Sequence, residues 1–310
     1  MSSPYIPASR SSLSDYAEQL LTPVELPPDP PQLTSNDRIL LLGSCFAQEV
    51  GERLKPQFPE GHVCVNPLGP LYAPQTVVAV LQSWLNGEQP AAPFRGRDGL
   101  WHSWQASSVC SAPTEAECRQ KLAAAWEQGR EALAQATLIV LTFGTTRGYA
   151  LRSGMSGWPD GLVANCHKEV ADTFVEHTPE LPALVAHLSA FCRQLSMQGN
   201  HPALLLTVSP YRYRKYGLHQ SQLQKARLLL LCEELCHKAG ASYFPSYEIL
   251  LDELRDYRFY APDMLHPSSQ AVDIIAERFR RWAFSPALLA EGDARLRAWR
   301  QVQHRAIVER

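Results

Sequence analysis

Charge of one sign is what this chain most lacks. Its 310 residues carry 29 Lys and Arg against 31 Asp and Glu, a formal net charge of −2. There is no basic run and no acidic tail, so the footprint of a nucleic-acid binder is missing. No window of about eighteen apolar residues exists, which excludes a membrane-spanning helix. Residues 1–14 are polar and have no apolar leader core, so a cytoplasmic protein of bacterial style is expected. No internal repeat is visible, and no low-complexity tract beyond a Ser/Pro-rich start. The eight cysteines (Cys45, Cys64, Cys110, Cys118, Cys166, Cys192, Cys232 and Cys236) follow no regular spacing. Reduced thiols are expected rather than a disulfide framework. Cys232, Cys236 and His237 fall on one expected helix without a second pair of ligands, so no metal is expected.

What is present is an alternation of short apolar runs and amphipathic stretches. Residues 1–36 read as an arm with a short helix around 13–21. Strands are expected at 38–43, 62–65, 137–143, 203–208 and 242–244. Helices are expected at 45–55, 74–85, 115–136, 181–197, 218–238, 247–254 and 267–282. Residues 286–310 read as a charged helical tail. Continuous apolar strands between helices imply a parallel sheet covered on both faces, an α/β fold of one large domain over residues 37–285. Residues 147–177 have weak periodicity and read as an insertion near the site. In such sheets, sites form at the carboxyl ends of strands. Four ends carry suggestive residues: Gly43-Ser44, Asn66 to Gly69, Gly144-Thr145-Thr146 and Ser209-Pro210.

The first of these is the most telling. The run Ile39 to Leu42 stops at Gly43-Ser44, and a helical pattern starts at once. A sharp turn at glycine lifts the serine hydroxyl clear at a helix start, as in a nucleophile elbow. Acyl transfer also needs a base and a group to orient it. The turn Asp263-Met264-Leu265-His266, just before a helix, offers both.

Gly43-Ser44-Cys45-Phe46-Ala47 resembles the pattern that names the GSCFA family, a branch of the SGNH hydrolases. The resemblance runs from about Arg38 to Ala283. It includes Asn66-Pro67-Leu68-Gly69, Thr142-Phe143-Gly144-Thr145, Ala164-Asn165-Cys166-His167-Lys168 and Val208-Ser209-Pro210-Tyr211-Arg212. It continues through Tyr243 to Glu248, Asp256 to Tyr260 and Asp263 to Pro267. It implies a three-layer α/β/α sandwich of flavodoxin-like type. It also implies Ser44 as nucleophile, with Asp263 and His266 as its partners. Oxyanion donors are implied at the amides of Ser44 and Gly69. The asparagine that SGNH enzymes place after the third strand is replaced here by Gly144-Thr145-Thr146. Asn165 is the preferred substitute donor and Thr146 the other. Asn66, Gly144, Thr145, His167, Arg212 and His219 are candidate substrate-binding residues. Ala106-Ser107 and Tyr213 stand where the family often has histidine, which implies a different substrate.

Each residue also has a plainer reading. Ser44 is a favoured helix N-cap, and Cys45 is expected in the core. Asn66 before Pro67 is a turn former. Arg212 is expected to pair with Glu248 or Asp256, His167 is a candidate pocket-wall or surface residue, and His219 a candidate cap-region surface residue. The expectation is a serine-dependent ester hydrolase or O-/N-acyltransferase acting on a carbohydrate or small-molecule acyl ester. It needs no metal or organic cofactor, an acyl acceptor is a possible second substrate, and neither nucleic acid nor membrane is a partner. The alternative is a weak or inactive SGNH-like binding protein. A cysteine enzyme using Cys45 or Cys166 is a third idea.

Overall fold

The computed structural model describes residues 22–308; the helix expected at 13–21 lies outside them. Five parallel strands form the centre: β1 (Ile39–Gly43), β2 (Val63–Val65), β3 (Leu138–Phe143), β4 (Ala203–Val208) and β5 (Ser242–Tyr243). Their order is β5-β4-β3-β1-β2, the flavodoxin-like arrangement whose direction of winding reverses between β1 and β3. The register sets Gly43 opposite Thr142 and Phe143 opposite Val208.

Alternation along the strands produces three layers. Leu40 and Leu42 of β1, with Ile139, Leu141 and Phe143 of β3, face one apolar cluster. There they meet the helices α2 (Pro74–Leu85), α3 (Glu115–Gln135), α4 (Leu181–Ser196) and α5 (Leu218–Ala239). Ile39, Leu41, Leu138 and Val140 face the other cluster. That side is covered by α1 (Cys45–Leu54), α6 (Ser269–Ala283) and the first turns of α7 (Pro286–Val308). A period of two on strands buried on both faces is what a parallel sheet requires.

The remaining segments tie down around this sandwich. The arm crosses α6, where Trp282 Nε1 donates to the Pro27 carbonyl and Leu33 pairs with Ala283 and Ser285. Helix α7 packs on residues 55–57, with Arg295 donating to the Gln57 carbonyl. Residues 147–177 build a small antiparallel sheet of Gly148–Leu151, Leu162–Val163 and Phe174–His177. A two-residue ladder, Phe94–Arg95 on Trp101–His102, also went unread in the sequence. Helix α6 starts two residues later than expected, because the Ser268 hydroxyl caps it by accepting from the Ala271 N–H at 3.2 Å. No helix among the described residues is long and apolar enough to cross a membrane.

Gly43 has φ of +141°, and a Cβ built there would lie 2.1 Å from the Thr142 carbonyl oxygen. No side chain fits, and backbone rather than a flexible side chain would have to move. Gly43→Ala is therefore expected to lower unfolding free energy by about 3 kcal/mol, from overpacking plus backbone strain. Urea denaturation measures this; a loss under about 0.5 kcal/mol, the range of neutral surface changes, would show that β1 can draw away from β3.

Candidate active site

Ser44 follows β1 directly and is the N-cap of α1. Its Oγ accepts from the Phe46 N–H at 3.3 Å. The side chain is fully buried rather than lifted clear. Its own N–H donates to the Thr142 carbonyl at 3.1 Å, extending the β1–β3 ladder by one residue. Asn66 has a larger part than forming a turn. From the end of β2 its Oδ1 accepts from the Gly43 N–H at 2.9 Å and its Nδ2 donates to the Ser44 carbonyl at 3.3 Å. Asn66 adopts a left-handed φ of +41°, which asparagine tolerates better than most residues. The turn carrying Ser44 is thus clamped from both neighbouring strands.

Asp263 and His266 form a compact unit on the loop before α6. Asp263 Oδ2 lies 2.6 Å from His266 Nδ1. Asp263 Oδ1 accepts from the Leu265 and His266 N–H groups at 2.9 and 3.0 Å. Both side chains are almost half exposed. The His266 hydrogen bond, then the two backbone donors, hold the Asp263 carboxyl down to about 2. An ionised carboxylate on Nδ1 leaves Nε2 as the nitrogen available for base chemistry. The Tyr211 ring packs on the imidazole with centroids 4.5 Å apart. Tyr211 is also near enough to Cys45 for the thiol to add to the burial that raises the Tyr211 pKa. No hydrogen bond joins Ser44 Oγ to His266 among the described residues. Tyr211, packed on His266 and close to Cys45, lies between the two halves.

The other candidates divide. The Gly69 N–H donates to the Asn66 carbonyl at 2.7 Å. Gly69 has φ of +79°, and a Cβ there would meet Ser107 Oγ at 1.8 Å. Thr146 is fully buried, and both its N–H and its hydroxyl donate to Gln224 Oε1. Gly144 and Thr145 donate their N–H groups to the Tyr72 carbonyl. Asn165 Oδ1 accepts from the His167 N–H at 2.7 Å, closing a turn in which His167 and Lys168 have positive φ. No hydrogen bond links Asn165 to Ser44 or Gly69. His167 is buried, and its Nε2 donates to the carbonyls of Ser103 and Ala106. Its ring stacks on His102, and burial above all lowers its pKa. His219 is exposed on the first turn of α5.

Two plainer expectations are corrected. Arg212 pairs with neither Glu248 nor Asp256. Its guanidinium lies over the Tyr260 ring at 4.3 Å, its N–H donates to the Leu265 carbonyl at 2.9 Å, and those carboxylates go to Tyr243 and Arg258. A planar guanidinium stacks readily on an aromatic face, and here the backbone places it over one. Cys45 is half-buried rather than in the core, and lies near enough to Lys225 to act on its ionisation. Cys232 is buried in the core and Cys236 half-buried, while His237 bonds Glu233 on an exposed face, so the three do not converge.

The residue that the sequence reading missed is Lys225. It is almost completely buried, and its Nζ donates to the carbonyls of Gly144 at 2.8 Å and Ser209 at 2.6 Å. Burial pushes it from 10.5 down to about 7, with Cys45 opposing slightly. At about 1.4 kcal/mol per tenfold change, keeping it charged costs about 5 kcal/mol relative to water. The unfolded chain holds this proton to about 10.4, and the folded chain sheds it above about 7. The unfolded state thus binds more protons between those values, and stability rises with pH across that window. A signal was available: the buried positions Ser221, Gln224, Lys225, Leu228, Leu231, Cys232 and Leu235 are spaced three and four apart. Lys225 is a charge on that buried stripe.

A separate cleft of about 1030 Å³ opens between α2, α4 and the small sheet of residues 147–177. Its walls are mostly apolar, with Arg152, His177 and His187 among its polar groups. Ser44, Asp263 and His266 do not line it. Gln75, on its wall, donates from Nε2 to the Thr146 carbonyl at 3.1 Å, which ties the cleft to the end of β3.

The model of the GSCFA family matches residues 38–279. No curated protein matches the chain.

The stabilising contribution of Asp263 ionisation is present above its unfolded value of about 3.9. It is lost as pH falls through about 2. In a carboxyl ¹³C titration, Asp263 is expected to titrate near its depressed value and to move up toward the ordinary one in His266→Gln. An unmoved midpoint in that variant would assign the depression to the backbone amides alone.

Proposed function

We propose that this protein, which belongs to the GSCFA family, is an SGNH-type serine esterase or acyltransferase of the cytoplasm. The observation that carries the reading is the Asp263–His266 pair, with its 2.6 Å carboxylate–imidazole contact. It stands at the same sheet edge as a serine set at the switch-point turn. Ser44 Oγ attacks the acyl carbonyl carbon while His266 Nε2 takes its proton. Asp263 holds the other ring nitrogen and stabilises the imidazolium. Collapse of the tetrahedral intermediate expels the alcohol, which leaves with the proton from His266. Water, or an acceptor hydroxyl or amine, then attacks the acyl-enzyme by the reverse of these steps.

This chemistry demands a rearrangement. Ser44 has no exposed surface, and its amide is held by Thr142. Substrate has to uncover Oγ and draw at least one amide toward the developing oxyanion, a closure of the induced-fit kind. A second reading has its own support in the same bonds. With the Ser44 and Gly69 amides and the Thr146 hydroxyl all engaged within the chain, the scaffold also fits a binding protein that performs no acyl transfer.

Intact-mass labelling with a fluorophosphonate separates the two. A single adduct is expected on the wild type, through a new Ser44 Oγ–P bond with loss of fluoride. It is expected to vanish in Ser44→Ala, persist in Cys45→Ala, and form at least about 100-fold more slowly in His266→Ala. An adduct that survives Ser44→Ala, or none on folded wild type at millimolar probe over hours, would sink the enzyme reading and favour the binding one.

A further inference from the structure

We propose that Lys225 is a positioning residue: its buried ammonium ties the carboxyl ends of β3 and β4 together and thereby sets the Tyr211–Arg212 segment against His266. The consequence for catalysis rests on the reading of the site given above.

The connections are continuous. Lys225 Nζ holds the Ser209 carbonyl at 2.6 Å and the Gly144 carbonyl at 2.8 Å. Ser209 is fully buried, its N–H donates to Phe143, and its Oγ accepts from the Tyr211 N–H at 3.4 Å. Tyr211 packs its ring on His266, and the Arg212 N–H holds the Leu265 carbonyl next to it. A shift of Ser209 therefore moves the contacts that the Tyr211–Arg212 segment makes to the His266 turn.

Lysine is a costly choice for this task. The two carbonyls need N–H donors, which the neutral side-chain amide of a glutamine also supplies. Gln224, one residue earlier, uses its amide oxygen to close the neighbouring end at Thr146 in that uncharged way. A cation at position 225 binds the carbonyls more tightly through charge-assisted bonds but has to be desolvated. Among the described residues no carboxylate pairs with it. The titratable and charged groups that face it are Cys45 from α1 and Tyr247 from the segment after β5. Tyr211, Arg212 and Tyr260 lie across a small cavity that Lys225 lines. None of these neutralises it. The ammonium titrates near neutrality, so its grip on the strand ends weakens as pH rises through about 7.

The test compares wild type, Lys225→Met and Lys225→Gln by three readouts. The first is folding stability against pH. The rise between neutral pH and about 10, expected from the lysine, should be present in wild type and missing in both variants. The second is NMR of the His266 ring and the Arg212 amide. Both should shift in Lys225→Met and return part-way in Lys225→Gln. The third is the rate of fluorophosphonate labelling per folded molecule, expected to fall about 10- to 100-fold in Lys225→Met, the scale of a misplacement near 1 Å. His266 and Arg212 resonances unchanged in folded Lys225→Met would overturn the proposal, whatever the probe does. Loss of fold in both variants would also overturn it, by making the lysine a purely structural group. If the wild type takes no label yet its His266 resonances depend on Lys225, the positioning role stands and the acyl-transfer reading fails.

Discussion

The contact on which the rest of this structure depends is the approach of Gly43 to the Thr142 carbonyl. It leaves no space for a Cβ, so β1 and β3 stay paired to the last residue of the strand and Ser44 continues the ladder beyond it. From the other side, Asn66 bonds both Gly43 and Ser44. A serine at the end of a strand would ordinarily begin a loop. Here three strands define its backbone before α1 adds the cap at Phe46. The position of the serine therefore belongs to sheet geometry, which is stiff, rather than to loop geometry, which is not.

The same stiffness creates the tension between the two functional readings. The hydrogen bonds that set the turn also occupy the amides of Ser44 and Gly69. Magnitudes help to weigh this. Drawing the Ser44 N–H away leaves the buried Thr142 carbonyl unpaired, at a cost of about 1–3 kcal/mol. A donor aimed at a developing oxyanion is worth about 3 kcal/mol in the transition state. Exchanging the Thr142 carbonyl for an oxyanion thus ranges from break-even to a gain of about 2 kcal/mol, provided the turn can rotate without losing the Asn66 clamp. Asn66 grips the N–H of Gly43 and the carbonyl of Ser44. It leaves the Ser44 N–H to Thr142 alone, so the exchange breaks one bond and spares the clamp.

The architecture was legible because buried parallel strands are unambiguous. Runs such as Leu138 to Phe143 are continuously apolar, short, and end at a glycine, and the five expected strands of the sheet agree with the structure within a residue or two. The small sheet in residues 147–177 was not legible. Its strands are two to four residues long, and its core is little more than Leu151, Val163 and Phe174, too few to leave a periodic pattern. Within the site, the Asp263–His266 contact could be anticipated because it lies within one turn of chain. What could not be read were relations between distant segments: that Asn66 clamps Ser44, that Tyr211 packs on His266, and that Gln224 engages Thr146. Such bonds depend on which backbone groups run out of partners where strands end, and a residue's type does not carry that information. Lys225 is the exception, since its place three residues before Leu228 on the stripe of α5 is readable in the sequence.

Those unpartnered groups explain why this sheet edge is polar. Past the last ladder bonds, the carbonyls of Gly144 and Ser209 and both backbone groups of Thr146 remain to be satisfied in a buried setting, where leaving each unmade would cost about 1–3 kcal/mol. Helices on one side supply all the partners: Lys225 and Gln224 from α5 and Gln75 from α2. The end of β1 is different. Its turn is closed by Asn66 from the adjacent strand end and by the Leu71 N–H bonding the Gly43 carbonyl, with no helix side chain involved. The helices that close β3 and β4 thus support the Tyr211 side of the site directly, and they reach the Ser44 side through the bond from the Ser44 N–H to Thr142 of β3. Releasing that bond leaves Ser44 on the Asn66 clamp and lets the two halves move relative to one another. A buried serine and an exposed Asp–His pair need that freedom if they are to meet.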